Sequence, residues 1–330
     1  MADNSRLNPI YKCELDKALF PISVSQVYYN THGAGQQQDP KHRVIMREDT
    51  AEVLGIVSDQ YQLYTHRQAY QLGQEVFEKC FHVHPELFKV DINHSGSSCH
   101  IDLYSEEVNI SISKGHRDLF GNWVEPKFKD KYYPFIRITN SYNRKYTLRF
   151  SLGFYRSKCA NGLLMGYDHL GDISIPHNLP FAEARSIALS KVKDFAHCVK
   201  GFERQLDAVR HIAIPRHLLE VVALDMLDMQ YGKERLPKLL KMKDILKDIS
   251  PIYVEEMGAN AMAAMNIATD YIKHIEHTHN VSILQSKPME WIMHKAGDTF
   301  NQKEYLRKQD AYYSNVYARI GGDTNGTVQP

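Results

Sequence analysis

The spacing of apolar residues changes once along this chain, near residue 180, and that change constrains the fold more than any other feature. Before it, apolar residues alternate. Val24–Tyr29, Arg43–Arg47 and Val53–Val57 are short β-branched or aromatic runs separated by Gly, Asn and Asp. Cys99, Ile101 and Leu103 alternate with His100, Asp102 and Tyr104, while Val108, Ile110 and Ile112 alternate with Asn109, Ser111 and Ser113. This predicts a hairpin turning at Ser105–Glu107. One helix interrupts the strands: Ala69, Leu72, Val76 and Phe77 recur at helical spacing behind Thr65, a good N-cap, and predict a helix ending near Cys80. After Pro180 only helical spacing remains (Ala184, Ile187, Val192, Phe195, Val199, Phe202, Leu206, Val209). Helices are expected over 181–214, from Pro215 onward, and over 238–249, 260–277 and 288–300.

The expected class is therefore α+β. A strand-rich domain with antiparallel hairpins occupies residues 1–175, an all-helical domain 176–320 and a disordered tail 321–330, with the boundary at Gly166, Gly171, Pro176 and Pro180. The polar, glycine-bearing stretch 30–39 reads as a mobile loop. Residues 114–131 form a second connection, longer than a tight hairpin needs.

Composition excludes several classes. Forty Lys+Arg against 39 Asp+Glu leave a net charge of +1, which argues against a uniformly basic, tail-driven nucleic-acid binder. No apolar run approaches the roughly 18 residues of a membrane span, so no membrane role is expected. The start lacks a basic region followed by an apolar one, so no secretory signal is expected. Five scattered cysteines without a C-x-x-C pair read as reduced thiols of a cytoplasmic protein.

The near-zero total hides one concentration of charge. Lys127 to Lys158 holds nine Lys/Arg (Lys127, Lys129, Lys131, Arg137, Arg144, Lys145, Arg149, Arg156, Lys158) against Asp130 alone, with nine Phe and Tyr interleaved. A three-residue loop, Tyr142-Asn143-Arg144, would align Ile136 and Ile138 with Phe150 and Leu148. It would also place Arg137 opposite Arg149, and Thr139 opposite Thr147, on an outer face, with Asn143 or Arg144 taking a positive φ and Asn the easier occupant. A face of Arg, Lys, Thr and Ser suits phosphate oxygens, and neighbouring tyrosines can stack bases without regard to sequence. On this reading Arg137, Lys145, Arg149, Arg156 and Lys158 neutralise phosphates, and Tyr142, Tyr146 and Tyr155 are the stacking residues. The alternative is a solvated sheet face whose cations pair with acids elsewhere, such as Glu106 and Glu107.

Three segments carry a resemblance: Leu54-Gly-Ile-Val-Ser-Asp-Gln-Tyr-Gln62, Arg137-Ile-Thr-Asn-Ser-Tyr142, and Gly153-Phe-Tyr-Arg-Ser-Lys-Cys-Ala-Asn-Gly162. In that order, with a later helix over Asn260–Ile272, they resemble a phage- and plasmid-borne family of unknown function, over roughly residues 40–280. The resemblance implies a mobile-element protein acting near DNA recombination or anti-restriction, and the helix–hairpin–helix order is similar to strand-annealing recombinase folds. Read physically, Gly55 permits a bulge or a close backbone approach, and Gly162 suits a strand-ending turn with positive φ.

Other chemistry finds little support. Gly33-Ala-Gly35 lacks the G-K-[ST] of a phosphate-binding loop, and no G-x-S-x-G or G-x-G-x-x-G appears. His274, His277 and His279 lack the H-E-x-x-H pattern, so no metal or other cofactor is expected. Asp91, Asp102, Glu106, Glu107 and Asp118 could serve a metal-dependent nuclease, but match no nuclease spacing, and no catalytic residue is assigned. The expectation is a cytoplasmic, mobile-element protein that binds nucleic acid, single-stranded DNA above all, with a helical part that completes the core or mediates self-assembly, its methionines mostly filling the core and some serving oligomer or partner packing. The alternatives are a protein-interaction factor inhibiting a host enzyme or defence system, and the nuclease.

Overall fold

The computed structural model describes residues 15–31, 35–112, 116–117, 123–124, 130–157, 162–165, 171–229, 236–274, 281–295 and 301–320. Strands lead and helices follow, as the change of period demands. The chain does not divide at one point near residue 175. Unit 1 comprises residues 1–109, 133–154 and 167–199, and unit 2 comprises 110–132, 155–166 and 200–330.

In unit 1, strands β1 (Ile22–Thr31), β2 (Gly35–Arg47) and β3 (Val53–Ser58) form an antiparallel sheet in that order. The stretch read as a mobile loop is largely strand, with Asn30, Tyr29 and Tyr28 opposite Gln36, Gln37 and Gln38. Its polar side chains face water on both sides of a two-stranded ribbon, so no apolar alternation marks it. The inner face of this sheet closes a small core of Phe20, Ile45, Leu54, Val57 and Tyr142.

Helix α1 (His66–Phe81) has the expected start: the Thr65 hydroxyl accepts from Gln68 N and the Gln68 side chain accepts from Thr65 N, a capping box. It buries Ala69, Leu72, Val76, Phe77 and Cys80 along one stripe. A second sheet contributes β4 (Glu86–Ile92), β5 (Ser98–Tyr104), β9 (Asp130–Ser141), β10 (Leu148–Arg156) and β12 (Asp172–Ile175). The predicted hairpin turning at Ser105–Glu107 is not made. Strand β5 pairs with Phe135–Ser141 of β9, and β6 (Ile110–Ile112) pairs with Asp130–Tyr132 of the same strand, so the two lie end to end along β9. Alternation identified both strands, but the strand they share, β9, begins only at Asp130.

Helix α2 (Phe181–Ser190) belongs to unit 1, and α3 (Val192–Arg210) starts there and ends in unit 2. Unit 2 holds β7 (His116–Arg117) paired with β8 (Trp123–Val124), β11 (Gly162–Leu164), and helices α4 (Leu219–Met226), α5 (Leu236–Met257), α6 (Ala261–Tyr271), α7 (Val281–Lys295) and α8 (Gln302–Ile320). Helix α7 starts seven residues before the expected Pro288, and α8 carries too weak an apolar stripe to be read from the sequence. No described helix is long and apolar enough to cross a membrane. The expected disordered tail, 321–330, lies outside the described residues.

Helix α6 is buried on every side, from Ala261 to Thr269, so it needs its end satisfied from within. Asn260 does this: its Oδ1 accepts from Ala263 N at 3.0 Å and its Nδ2 donates to the Met257 carbonyl at 2.7 Å. Asn260→Ala removes both bonds in a buried position. It should lower stability by about 1–2 kcal/mol in urea denaturation, with an unchanged m-value.

Candidate nucleic-acid interface

The tip joining β9 to β10 is not a bare three-residue loop. Residues 142–147 lie between the strands, and the connection is fastened at every step. The Ser141 hydroxyl accepts from Tyr146 N and donates to Tyr146 O, both at 2.9 Å, so it closes the base of the turn. Asn143 Oδ1 accepts from Lys145 N at 3.1 Å, while its Nδ2 donates to Ser97 Oγ at 3.0 Å. The positive φ falls on Arg144 (66°) and not on Asn143, because the Asn143 side chain is already committed to holding the turn.

Tyr142 anchors this tip in the core. Its backbone N–H donates to the Ser97 carbonyl at 2.7 Å, and its hydroxyl accepts from His66 N, the first N–H of α1, at 2.8 Å. Its ring stacks on the His66 imidazole with centroids 4.0 Å apart. Gly55 in β3 comes so close that a Cβ there would lie 2.7 Å from the Tyr142 carbonyl oxygen, which is the close backbone approach expected of it. Tyr61 donates to the Ser141 carbonyl at 2.8 Å. Two of the three resemblance segments thus meet: the first supplies Gly55 and Tyr61, and the second supplies the tip they grip.

Beneath the tip lies a neutral imidazole layer. His66 Nε2 faces the Gly96 carbonyl at 3.0 Å and so carries the proton, leaving Nδ1 to accept from Asn140 Nδ2, also at 3.0 Å. Asn140 Nδ2 donates its second hydrogen to the Tyr64 carbonyl. His177 is sandwiched between Tyr61 (4.7 Å) and Tyr64 (4.6 Å) and bonds the Gln62 carbonyl through Nδ1. Burial pushes both imidazoles down from the ordinary 6.5 to about 4.

The predicted site residues scatter. Arg137 is buried (4% exposed) in a bidentate pair with Asp102, its direct neighbour across β5, with both N–O distances 2.7 Å. Arg156 is 3% exposed, with Nη2 2.6 Å from Glu256 and its guanidinium over the Tyr253 ring. Arg149 is 24% exposed and lies 3.5 Å from Asp172. Tyr142 and Tyr155 are buried. Lys158 lies outside the described residues. The open basic face expected of Arg137, Arg149 and Arg156 therefore does not exist. Their acids come from β5, β12 and α5, beyond the window in which charge was counted. Gly162 has no positive φ; the Tyr155 ring and the Gln285 side chain fill the space its Cβ would take.

What stays outside is the tip. Asn143, Arg144 and Lys145 are exposed and Tyr146 is half-buried, with Lys145 Nζ 5.1 Å from the Tyr146 ring centre. On β2, Lys41 and Arg43 are exposed too. Among the described residues, Lys41, Arg43, Arg144 and Lys145 make no ion pair. Lys41, Arg43 and Arg144 were missing from the sequence-derived set; the signal for Arg144 was its place beside Asn143 in a turn that needs one left-handed residue. Of the five candidate metal-binding carboxylates, Asp102 is held by Arg137, Asp91 pairs with Lys89, and Asp118 lies outside the described residues. No group of three His, Cys, Asp or Glu placed to hold a metal occurs among the described residues.

Residues 118–304, more than half of the chain, match a family described as a domain of unknown function, DUF932. The chain belongs to the DUF932 family. The DUF932 match takes in the Asn140-Ser141-Tyr142 tip and most of the helical part, and leaves Gly55, Tyr61 and α1 outside it. No curated protein and no solved structure matches the chain.

Two outcomes follow for this region. Asp102→Ala leaves the Arg137 guanidinium buried without its carboxylate, and should cost about 3–5 kcal/mol in denaturant unfolding. For the histidines, the folded pKa lies below the unfolded one. Their contribution is complete above pH 6.5 and is lost as pH falls from 6.5 to 4, because only the unfolded chain takes up protons there. Together they should remove several kcal/mol over that window, read as a falling urea midpoint; His66→Gln should flatten the fall.

Proposed function

We propose that this chain binds nucleic acid, single-stranded DNA in particular, through the β9–β10 tip, in the cytoplasm of a cell hosting a phage or plasmid. The observation that carries the reading is Arg144: a non-glycine residue in the left-handed region, exposed, without an acid partner among the described residues, and held there by a buried scaffold. Backbone strain of this kind costs about 1–3 kcal/mol and persists only where the surroundings impose it. Here Gly55, Ser97, Ser141 and Asn143 impose it, and the result is to present two adjacent cations, Arg144 and Lys145, on a rigid mount. Tyr146 lies beneath Lys145 with part of its ring open, a geometry that lets a base stack while the ammonium meets the phosphate. Arg43 and Lys41 on β2 extend the cationic surface within the same unit. Arg137 and Arg156, spent on buried acids, act as structural residues and take no part in binding.

Phosphate contacts release counterions, so affinity should fall as salt rises, with a slope of about 0.7 per phosphate for single strands. Fluorescence anisotropy with a labelled oligothymidine across a salt series reads this. Arg144→Ala with Lys145→Ala should weaken binding about tenfold at low salt and reduce the slope by about 1.4. No binding at low salt, or a doubly substituted protein that binds as the original does, would turn the reading toward an acidic protein partner.

A further inference from the structure

We propose that strand β1 is a docking edge for a second copy of this chain. The two β1 strands would pair antiparallel across a two-fold axis and join two three-stranded sheets into one of six strands. Among the described residues, strand β1 lies at the end of its sheet and pairs with β2 alone. It runs ten residues, Ile-Ser-Val-Ser-Gln-Val-Tyr-Tyr-Asn-Thr, with no charged residue and no proline. Exposed strand edges recruit other strands, and proteins block them with charges, prolines, bulges or shortness. The contrast with β4, the edge of the second sheet in unit 1, is direct: β4 has seven residues, carries Glu86, Lys89 and Asp91, and slips register between Leu87 and Lys89. Strand β3, the other edge of the first sheet, is uncharged as well but runs only six residues, which leaves the ten-residue β1 as the longer open edge.

The open part can be located. The β1–β2 ladder slips between Gln26 and Val27, where three extra residues of β2 are accommodated. Beyond the slip, Val27–Thr31 pair with Gly35–Asp39 in a regular ribbon that is uncharged along β1, its one charged residue, Asp39, lying on β2 opposite Val27. Tyr28 and Tyr29 are 54% and 47% exposed on opposite faces of it. Among the described residues, five of the eight large apolar side chains left exposed belong to this three-stranded sheet: Val24, Tyr28, Tyr29, Val53 and Ile56.

Charge selects the occupant. A neutral edge offers nothing to attract a charged foreign segment, whereas an antiparallel copy of the same strand meets no like charge and satisfies every donor with the matching acceptor. Two-fold association needs only one surface, used twice. With the axis passing opposite Tyr28, each Tyr28 faces its counterpart and Val27 faces Tyr29, so that directly opposed residues share a face of the sheet. This inference does not rest on nucleic-acid binding.

Sedimentation velocity of the full chain, after nuclease treatment and in high salt to remove bridging nucleic acid, should give a dimer at micromolar concentration. Tyr28→Lys with Tyr29→Lys should weaken it at least about tenfold, whereas Ile56→Lys, on β3 at the opposite edge of the sheet, should leave it intact. Independently, Tyr28→Cys should form an oxidised, cross-linked dimer well above the original protein's background. A monomer over the whole concentration range would overturn the proposal, as would a dimer indifferent to the paired lysines but lost with Ile56→Lys. If the lysine variant does not fold, absence of the Tyr28→Cys cross-link overturns it alone.

Discussion

The unit 1 core turns on where the Tyr142 hydroxyl goes. A buried phenol must find a hydrogen-bond partner, and the one it finds is the leading N–H of a helix, a group that also has none of its own. Two costs cancel at 2.8 Å. That single bond fixes the tip of β9 relative to the start of α1. The Tyr142 backbone bond to Ser97 and the close approach of Gly55 then bring β5 and β3 to the same point. Everything exposed at the tip inherits its position from this buried arrangement, which is why a turn of polar residues can be held as firmly as a strand.

The arginines of the same sheet tell a complementary story. A buried guanidinium is tolerable only when bidentate or multiply bonded, because desolvation of each ion costs several kcal/mol and only a well-aligned partner offsets it. Arg137 and Asp102 meet that requirement by facing one another across two strands. Such a pair adds little net stability over an apolar one. It does penalise any slip of β5 along β9, since a shift of one residue would leave the two charges on opposite faces of the sheet. The ion pair thus serves register more than strength.

The sequence was legible where the determinants are local. The N-cap at Thr65, the apolar stripe of Ala69, Leu72, Val76 and Phe77, the alternation in Cys99–Tyr104 and the change of period at residue 180 all depend on neighbours within a few positions, and all appear in the fold. The close approach at Gly55 was also readable, since glycine inside a strand has few other reasons. What was not legible is pairing at a distance. Counting charge between Lys127 and Lys158 could not show that Asp102, Asp172 and Glu256 would be brought to Arg137, Arg149 and Arg156. Nor could spacing reveal that β5 and β6 share one partner, or that an amide-rich stretch such as Gln36–Gln38 would be strand, because a ribbon wet on both sides leaves no apolar signature.

The division of the chain carries a consequence for its biosynthesis. Unit 1 takes its last piece from residues 167–199 and unit 2 its first from residues 110–132. On the ribosome, then, the first 109 residues cannot complete their unit until Val199 has emerged, and β1 with its unguarded edge spends that interval among half-finished sheets. A chain threaded in this way is exposed to chaperone capture and to strand exchange between neighbouring nascent copies, most of all when many ribosomes translate one message.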